Sequence, residues 1–533
     1  MSTKRAMAAA IVLVVLLATA VFWPAGAARH SLNNEDLAHL KRLRDKARGL
    51  MQTQMELSWK RRTTGERVDF AATYEGHEKL FSLDTLIFLS KALAKVHDDP
   101  NFQKAIEFFR DHVLREAVDM RVMKIDGELD AYLATKHFTY DGKEFPFWQA
   151  RAMLIDAAEP AARQAISDAV VPILREANQQ FKKKQERLHR LARELGYDDV
   201  VSLSEQLRGV DLDQFARECQ RLLDRTERHF LGEQGWAASF ALGMPIDRLR
   251  RADLPRLAAV SVTEDRFAAD QQMPRLKNAL VEMGLTLNHI KIDDAERPNK
   301  SPQTACFPVV VPTDVRLSYK PVEGVAAYRR LWHEMGHAQH FSNTKTPVWE
   351  FQLLGDSAVA DAFSFLFAGL IDHPQFAERH FGLAGEALAD HTRLAAYRHL
   401  LMVRRYCAKV LYELELHRGA ADPASRYRHW MGIAYGLKLD ANDGERHGID
   451  VDNYFQGVDY VRAWNLEAML DYRLTREFGD SWFTTSEAGA YLKRLWISGT
   501  FYSADEMANE IGFRRLKNKY LIRRAKRRAH ARF

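Results

Sequence analysis

The chain has 533 residues, of which 47% are hydrophobic and 28% charged, with 28 Gly, 16 Pro and 3 Cys. Such a composition excludes a disordered, fibrous or disulfide-built protein and leaves room for about three average domains or one large enzyme body. The formal charge is +6, but residues 514–533, RRLKNKYLIRRAKRRAHARF, hold ten Lys or Arg and no acid, so the remainder carries −4 and basicity is local to a C-terminal tail.

Residues 1–28 read as an export signal. Lys4 and Arg5 precede an uncharged stretch that is most apolar between Met7 and Trp23, and Ala25-Gly26-Ala27 fits a small-residue cleavage site. The apolar run is close to the lower length of a spanning helix, about 17 residues, so cleavage and retention as an N-terminal membrane anchor both stay open. In either case Lys4 and Arg5 hold the N-terminus inside, which sends the body out of the cytoplasm, to a periplasmic or extracellular location.

Residues 29–300 read as a helical domain. Leu37, Leu40, Leu43, Ala47, Leu50 and Met51 recur at three and four after Asn33 and Asn34, a pair suited to capping a helix. A second helix is expected near residue 100, and a third over residues 161–196, bent at Pro172 and stopped by Gly196. Residues 293–307 gather Pro, Asn, Ser and Asp and read as a loop. The piece after it, VVVPTDVRLSYKP at 309–321, is β-branched and alternating between Pro312 and Pro321, which suits a strand at a sheet edge.

Helical character resumes in GVAAYRRLWHEMGHAQHFSN, opening a part of the chain that runs from 301 to 513. Residues four apart share a helix face, so His333 and His337 can point two imidazoles at one ion with Glu334 alongside, the pattern of a zinc peptidase. A metzincin would continue with Gly at 340 and His at 343; here His340 and Asn343 stand there, and the third ligand must come from elsewhere. Of the acids downstream, Glu350 follows Pro347 in a loop where solvation suffices, and Asp356 fits a helix N-cap after Gly355. Asp372 and Glu378 flank a helix end at Pro374. Asp361 lies inside VADAFSFLF, apolar nearly all round, where a carboxylate needs a partner or a metal. His340, one turn past His337, fits orienting a ligand or capping the helix better than binding the metal. The three cysteines, Cys219, Cys306 and Cys407, lack zinc-finger spacing and read as small buried hydrophobes.

HEMGHAQH, with an acid 28 residues after the first histidine, resembles the thimet oligopeptidase and oligoendopeptidase F family of zinc peptidases, whose motif is HExGHxxH. The family's ligand glutamate is Asp361 here, shorter by one methylene. LARELGYDDVVSLSEQLRGVDLDQF and DVRLSYKP are also similar to family segments, the latter to an edge strand that pairs with substrate backbone. HGIDVDNYFQGVDYVRAW is similar to the segment that supplies a His and a Tyr to the oxyanion; the matching positions are His447 and Tyr460, with Tyr454 as a further candidate.

The resemblance implies a mainly α fold with a small β-sheet beside the active-site helix and a deep substrate channel. It implies one zinc ion on His333, His337 and Asp361, Glu334 as general base, and oligopeptide substrates. HEMGHAQHF also resembles peptidases of the angiotensin-converting-enzyme type, so a carboxydipeptidase is the alternative enzyme, and a non-catalytic zinc-binding protein at the membrane is the alternative from another class. The basic tail at 514–533 suits an anionic membrane surface or a solvated helix end; nucleic acid is not expected of an exported chain.

Overall fold

The computed structural model describes residues 32–96 and 98–529, so the export segment lies outside the described residues. Helix accounts for 71% of the described residues and strand for 5%, which makes the structure mainly α with a small sheet, as the sequence leads one to expect. Among the described residues no helix is long and apolar enough to cross a membrane.

Local chemistry places the helix boundaries. The first helix, Asn34–Thr64, starts where the Asn33 side chain accepts the Asp36 N–H at 2.7 Å and ends at Gly65, whose left-handed backbone returns its N–H to the Arg61 carbonyl. Asp99 caps the helix Pro100–Thr135 through the Phe102 N–H. Pro172 does not bend one long helix; it sits in the first turn of Val171–Glu194, a position where its missing N–H is not needed, and Pro160–Ala169 is separate.

A two-stranded hairpin joins β1 (His137–Tyr140) to β2 (Lys143–Pro146). The sheet near the motif has three strands, β3 (Ile290–Asp293), β4 (Ala305–Val310) and β5 (Asp314–Ser318), in the order β3-β5-β4. β5 pairs in parallel with β3 and antiparallel with β4. This corrects the edge expectation: DVRLS is the middle strand, and β4, which begins within the stretch read as a loop, is the edge on the motif side. Pro312 falls in the turn between β4 and β5. The sequence of β4 agrees with an edge. Its Cys306 N–H leaves the sheet for Glu334, so Pro308, two residues on and facing the same way, removes no ladder hydrogen bond.

The apolar cores do not divide at residue 300. One core joins residues from 267 to 290 with the motif helix Val325–Asn343, the helix Ser357–Leu370 and the segment up to Ile511. A second packs the helix Leu212–Leu242 against Gly385–His417 and Gly457–Phe478. A third holds the N-terminal helices and takes in Trp349 and Tyr454 from farther along. Between this N-terminal layer and the motif lies a cavity of about 780 Å³, lined by Phe108, Arg115 and Arg208 on one side and by Glu334, His337 and Asp361 on the other. The basic C-terminal run is partly spent inside the protein: in the helix Lys519–Ala529, Leu521 is buried and Arg524 pairs with Glu467 and Asp471.

Candidate metal and catalytic site

Two helices carry the site. The motif helix Val325–Asn343 presents His333 and His337, whose rings stand 4.9 Å apart and nearly perpendicular. The helix Ser357–Leu370 presents Asp361, with its Oδ1 3.5 Å from His337 Nε2. Ligand atoms of His333, His337 and Asp361 all lie within 4.8 Å of one another. The glycine of HEMGH makes this approach possible. A Cβ at position 336 would lie 2.6 Å from Ser364 Cα and 2.9 Å from the Phe363 carbonyl oxygen, closer than packing allows, so any other residue would force the helices apart.

The ligand helix is pinned at its start. Asp356 caps it through the Ala358 N–H at 3.0 Å, as the sequence led one to expect, and also binds the Arg462 guanidinium and the Ala504 N–H. Ser357 Oγ donates to Asp459 at 2.5 Å, and Asp459 pairs with Arg208. Two acid–arginine pairs thus fix the helix that bears Asp361.

Electrostatics match a metal site. Burial takes the His333 imidazole down to about 4 and His337 well below its ordinary value, so both rings are neutral and free to donate a lone pair near pH 7. Burial, then the neighbouring acids Asp459, Glu334 and Asp356, push the Asp361 carboxyl up to about 7. Glu334 is also taken up to about 7 by burial, against the lowering pull of the Cys306 N–H, which it accepts through Oε2 at 2.9 Å. Half-buried acids crowded together beside neutral imidazoles make a setting suited to a cation. Asp361 meets no Lys or Arg in an ion pair among the described residues, and His337 Nδ1 is buried without a hydrogen-bond partner. Two imidazoles and a carboxylate are a donor set that zinc accepts, and leave the fourth position open as catalytic zinc requires. The residues fit the ion.

The other expected site residues are placed unevenly. Tyr460 is near the triad: its ring lies 6.2 Å from Phe365, which in turn packs 5.1 Å from His333, and the Asp361 charge acts on its phenol. His447 turns Nδ1 to the Gly444 carbonyl at 3.1 Å and to Asn178 at 3.4 Å, and contacts none of the triad among the described residues. Tyr454 is buried in the N-terminal core and donates its hydroxyl to Asp119 at 2.7 Å. His340 neither orients a ligand nor caps the helix; its Nε2 meets the Gly499 carbonyl at 3.1 Å, tying the motif helix to a distant turn.

Glu350, expected to be solvated, is fully buried and paired with Arg44. Burial would raise the Asp372 carboxyl, but the Arg329 guanidinium at 2.9–3.0 Å outweighs it and holds Asp372 at about 2. Two contributors escaped the sequence reading. Gly336 carried a signal, being the fixed glycine of HExGH. The Cys306 N–H carried none, because only the pairing of β4 with β5 aims it at Glu334.

No protein-family model matches the chain, and no curated protein matches it significantly.

Proposed function

We propose that this chain is a zinc-dependent metallopeptidase that hydrolyses oligopeptides, akin to the thimet oligopeptidase and oligoendopeptidase F family, with His333, His337 and Asp361 holding one zinc ion. The observation that carries the reading is the convergence of these three ligand atoms within 4.8 Å, with Glu334 adjacent on the same helix. Zinc bound there supplies Lewis acidity toward a peptide carbonyl and lowers the pKa of water to roughly 7.

The chain's own residues account for the rest. Glu334, next to the first histidine on the motif helix, is placed to take a proton from the attacking water and return it to the leaving amine. Its hydrogen bond to the Cys306 N–H fixes its orientation and marks where the β4 edge meets the site. A substrate strand laid along that edge would bring its backbone to the carboxylate, so the strand-addition role expected of DVRLS passes to β4. Tyr460, a neutral phenol whose ionisation burial pushes well above its ordinary value, is the donor we assign to the developing oxyanion. His447 and Tyr454 direct their hydrogen bonds elsewhere and are left out of that role. The cavity between the two layers serves as the substrate channel, and residues 1–28, as signal peptide or anchor, support an exported location.

A carboxydipeptidase is the second reading, favoured by one observation: Arg115 lines the same cavity without an ion pair among the described residues and could hold a substrate's terminal carboxylate. A quenched-fluorescent peptide separates these readings. Cleavage abolished by a chelator, restored by one equivalent of zinc, and kept when the peptide is C-terminally amidated supports the oligopeptidase. Cleavage lost on amidation selects the carboxydipeptidase, and cleavage indifferent to chelator rejects both.

A further inference from the structure

A second cavity of about 740 Å³ lies between the helix Leu212–Leu242 and the segment 515–519, and shares Gly209 and Arg462 with the lining of the catalytic cavity. Arg217, Arg221 and Arg225 line it from one side, each four residues after the last and therefore on one helix face. Like charges at that spacing repel. Arg515, Lys517 and Lys519 line it from the other side. None of these six cations makes an ion pair among the described residues, although Arg44, Arg208, Arg329, Arg462 and Arg524 elsewhere all do. Only Asp211, Glu218 and Asp505 oppose them in the lining, and Asp505 is engaged by the Leu516 N–H at 3.0 Å.

Val210, Phe215 and Leu222 give the cavity apolar surface as well. A ligand that satisfies both features carries several anions and some aliphatic surface.

We infer that this basic cavity is an exosite for acidic oligopeptides, gripping Asp and Glu side chains of a chain whose scissile part lies in the adjoining catalytic cavity. Carboxylates meet the six cations as charge-assisted pairs, and methylene stems cover the apolar lining. The inference rests on the peptidase reading for its purpose, since it names the substrate class of that enzyme. Gly209 and Arg462 line both cavities and set the two sites side by side.

The test is equilibrium binding of a fluorescent ten-residue peptide rich in Asp and Glu to the full chain carrying Glu334→Gln, so that nothing is turned over. Expected are binding that weakens steeply between 50 and 200 mM salt, at least tenfold weaker binding of the Asn/Gln peptide of equal length, and a tenfold or greater loss in Arg221→Gln/Arg515→Gln/Lys517→Gln with its melting temperature unchanged. A single Arg221→Gln, exposed and unpaired in the fold, gives the same loss on a smaller scale and guards against misfolding of the triple variant. Equal affinity for the neutral peptide, or binding untouched by the substitutions, overturns the exosite. So does inorganic tripolyphosphate or anionic vesicles displacing the peptide at far lower concentration, because the ligand is then a phosphate compound or a lipid surface. Failure of the peptidase reading looks different: the chain takes up no zinc and cleaves nothing, while the acidic peptide still binds.

Discussion

Asp361 and Glu334 share an unusual condition for acids, each raised to about 7 by burial. For Asp361 this has a direct consequence for metal uptake. Below pH 7 its carboxyl is protonated, and a zinc ion must displace that proton before binding, whereas His333 and His337 are neutral throughout and cost nothing. Apparent zinc affinity should therefore fall about tenfold per pH unit as pH drops from 7 to 5 and level off above pH 8. Competition against a chromophoric chelator across that range measures it, and a flat profile from pH 5 to 7 would show that zinc displaces no proton from Asp361. The residue itself was legible in the sequence, because an acid alone in VADAFSFLF stands out against its apolar neighbours. Glu350 was not, because its partner Arg44 is 306 residues away and nothing near Glu350 announces the pairing.

At the scale of elements, the site depends on how closely the motif helix meets the helix of Asp361. Gly336→Ala places a methyl 2.6 Å from a backbone atom of Ser364, and backbone yields less easily than a side-chain tip. The variant should lose roughly 1–3 kcal/mol of stability and bind zinc at least tenfold more weakly, as the ligand helix is pushed outward. Gly232→Ala is the matched control: it lies mid-helix with nothing within 4 Å, and should be neutral or gain up to ~1 kcal/mol. Thermal melting and zinc titration of both decide whether contact or helix propensity governs position 336. Helix existence was easy to read from 3.6-residue periodicity and capping residues. Strand order was not, since the alternation in DVRLS is the same in a middle strand as at an edge, and only pairing with β3 and β4 tells which it is.

Across the whole molecule, the N-terminal layer and the half bearing the motif meet around the catalytic cavity, and the Arg44–Glu350 pair stitches one to the other. Glu350 is fully buried, so Arg44→Met strands a charge and should lower stability by ~2–3 kcal/mol, while Arg44→Met combined with Glu350→Gln should recover much of it. Melting curves of the single and double variants test this, and equal losses in both would show that the pair is incidental. The interleaving of the cores explains why a boundary near residue 300 could be written from sequence but does not divide the packing: Trp349 and Tyr454 are core residues of a layer built otherwise from the first 207 positions.

The central claim is a zinc ion on His333, His337 and Asp361 serving a reaction in which Glu334 moves the proton. Metal content and cleavage of a quenched peptide, measured together on the wild-type chain and on Glu334→Gln, test it most directly. The account predicts one zinc per chain in both proteins and hydrolysis reduced by roughly 10²-fold or more in the variant. A wild-type chain without zinc, or a Glu334→Gln chain that cleaves at the wild-type rate, would contradict it.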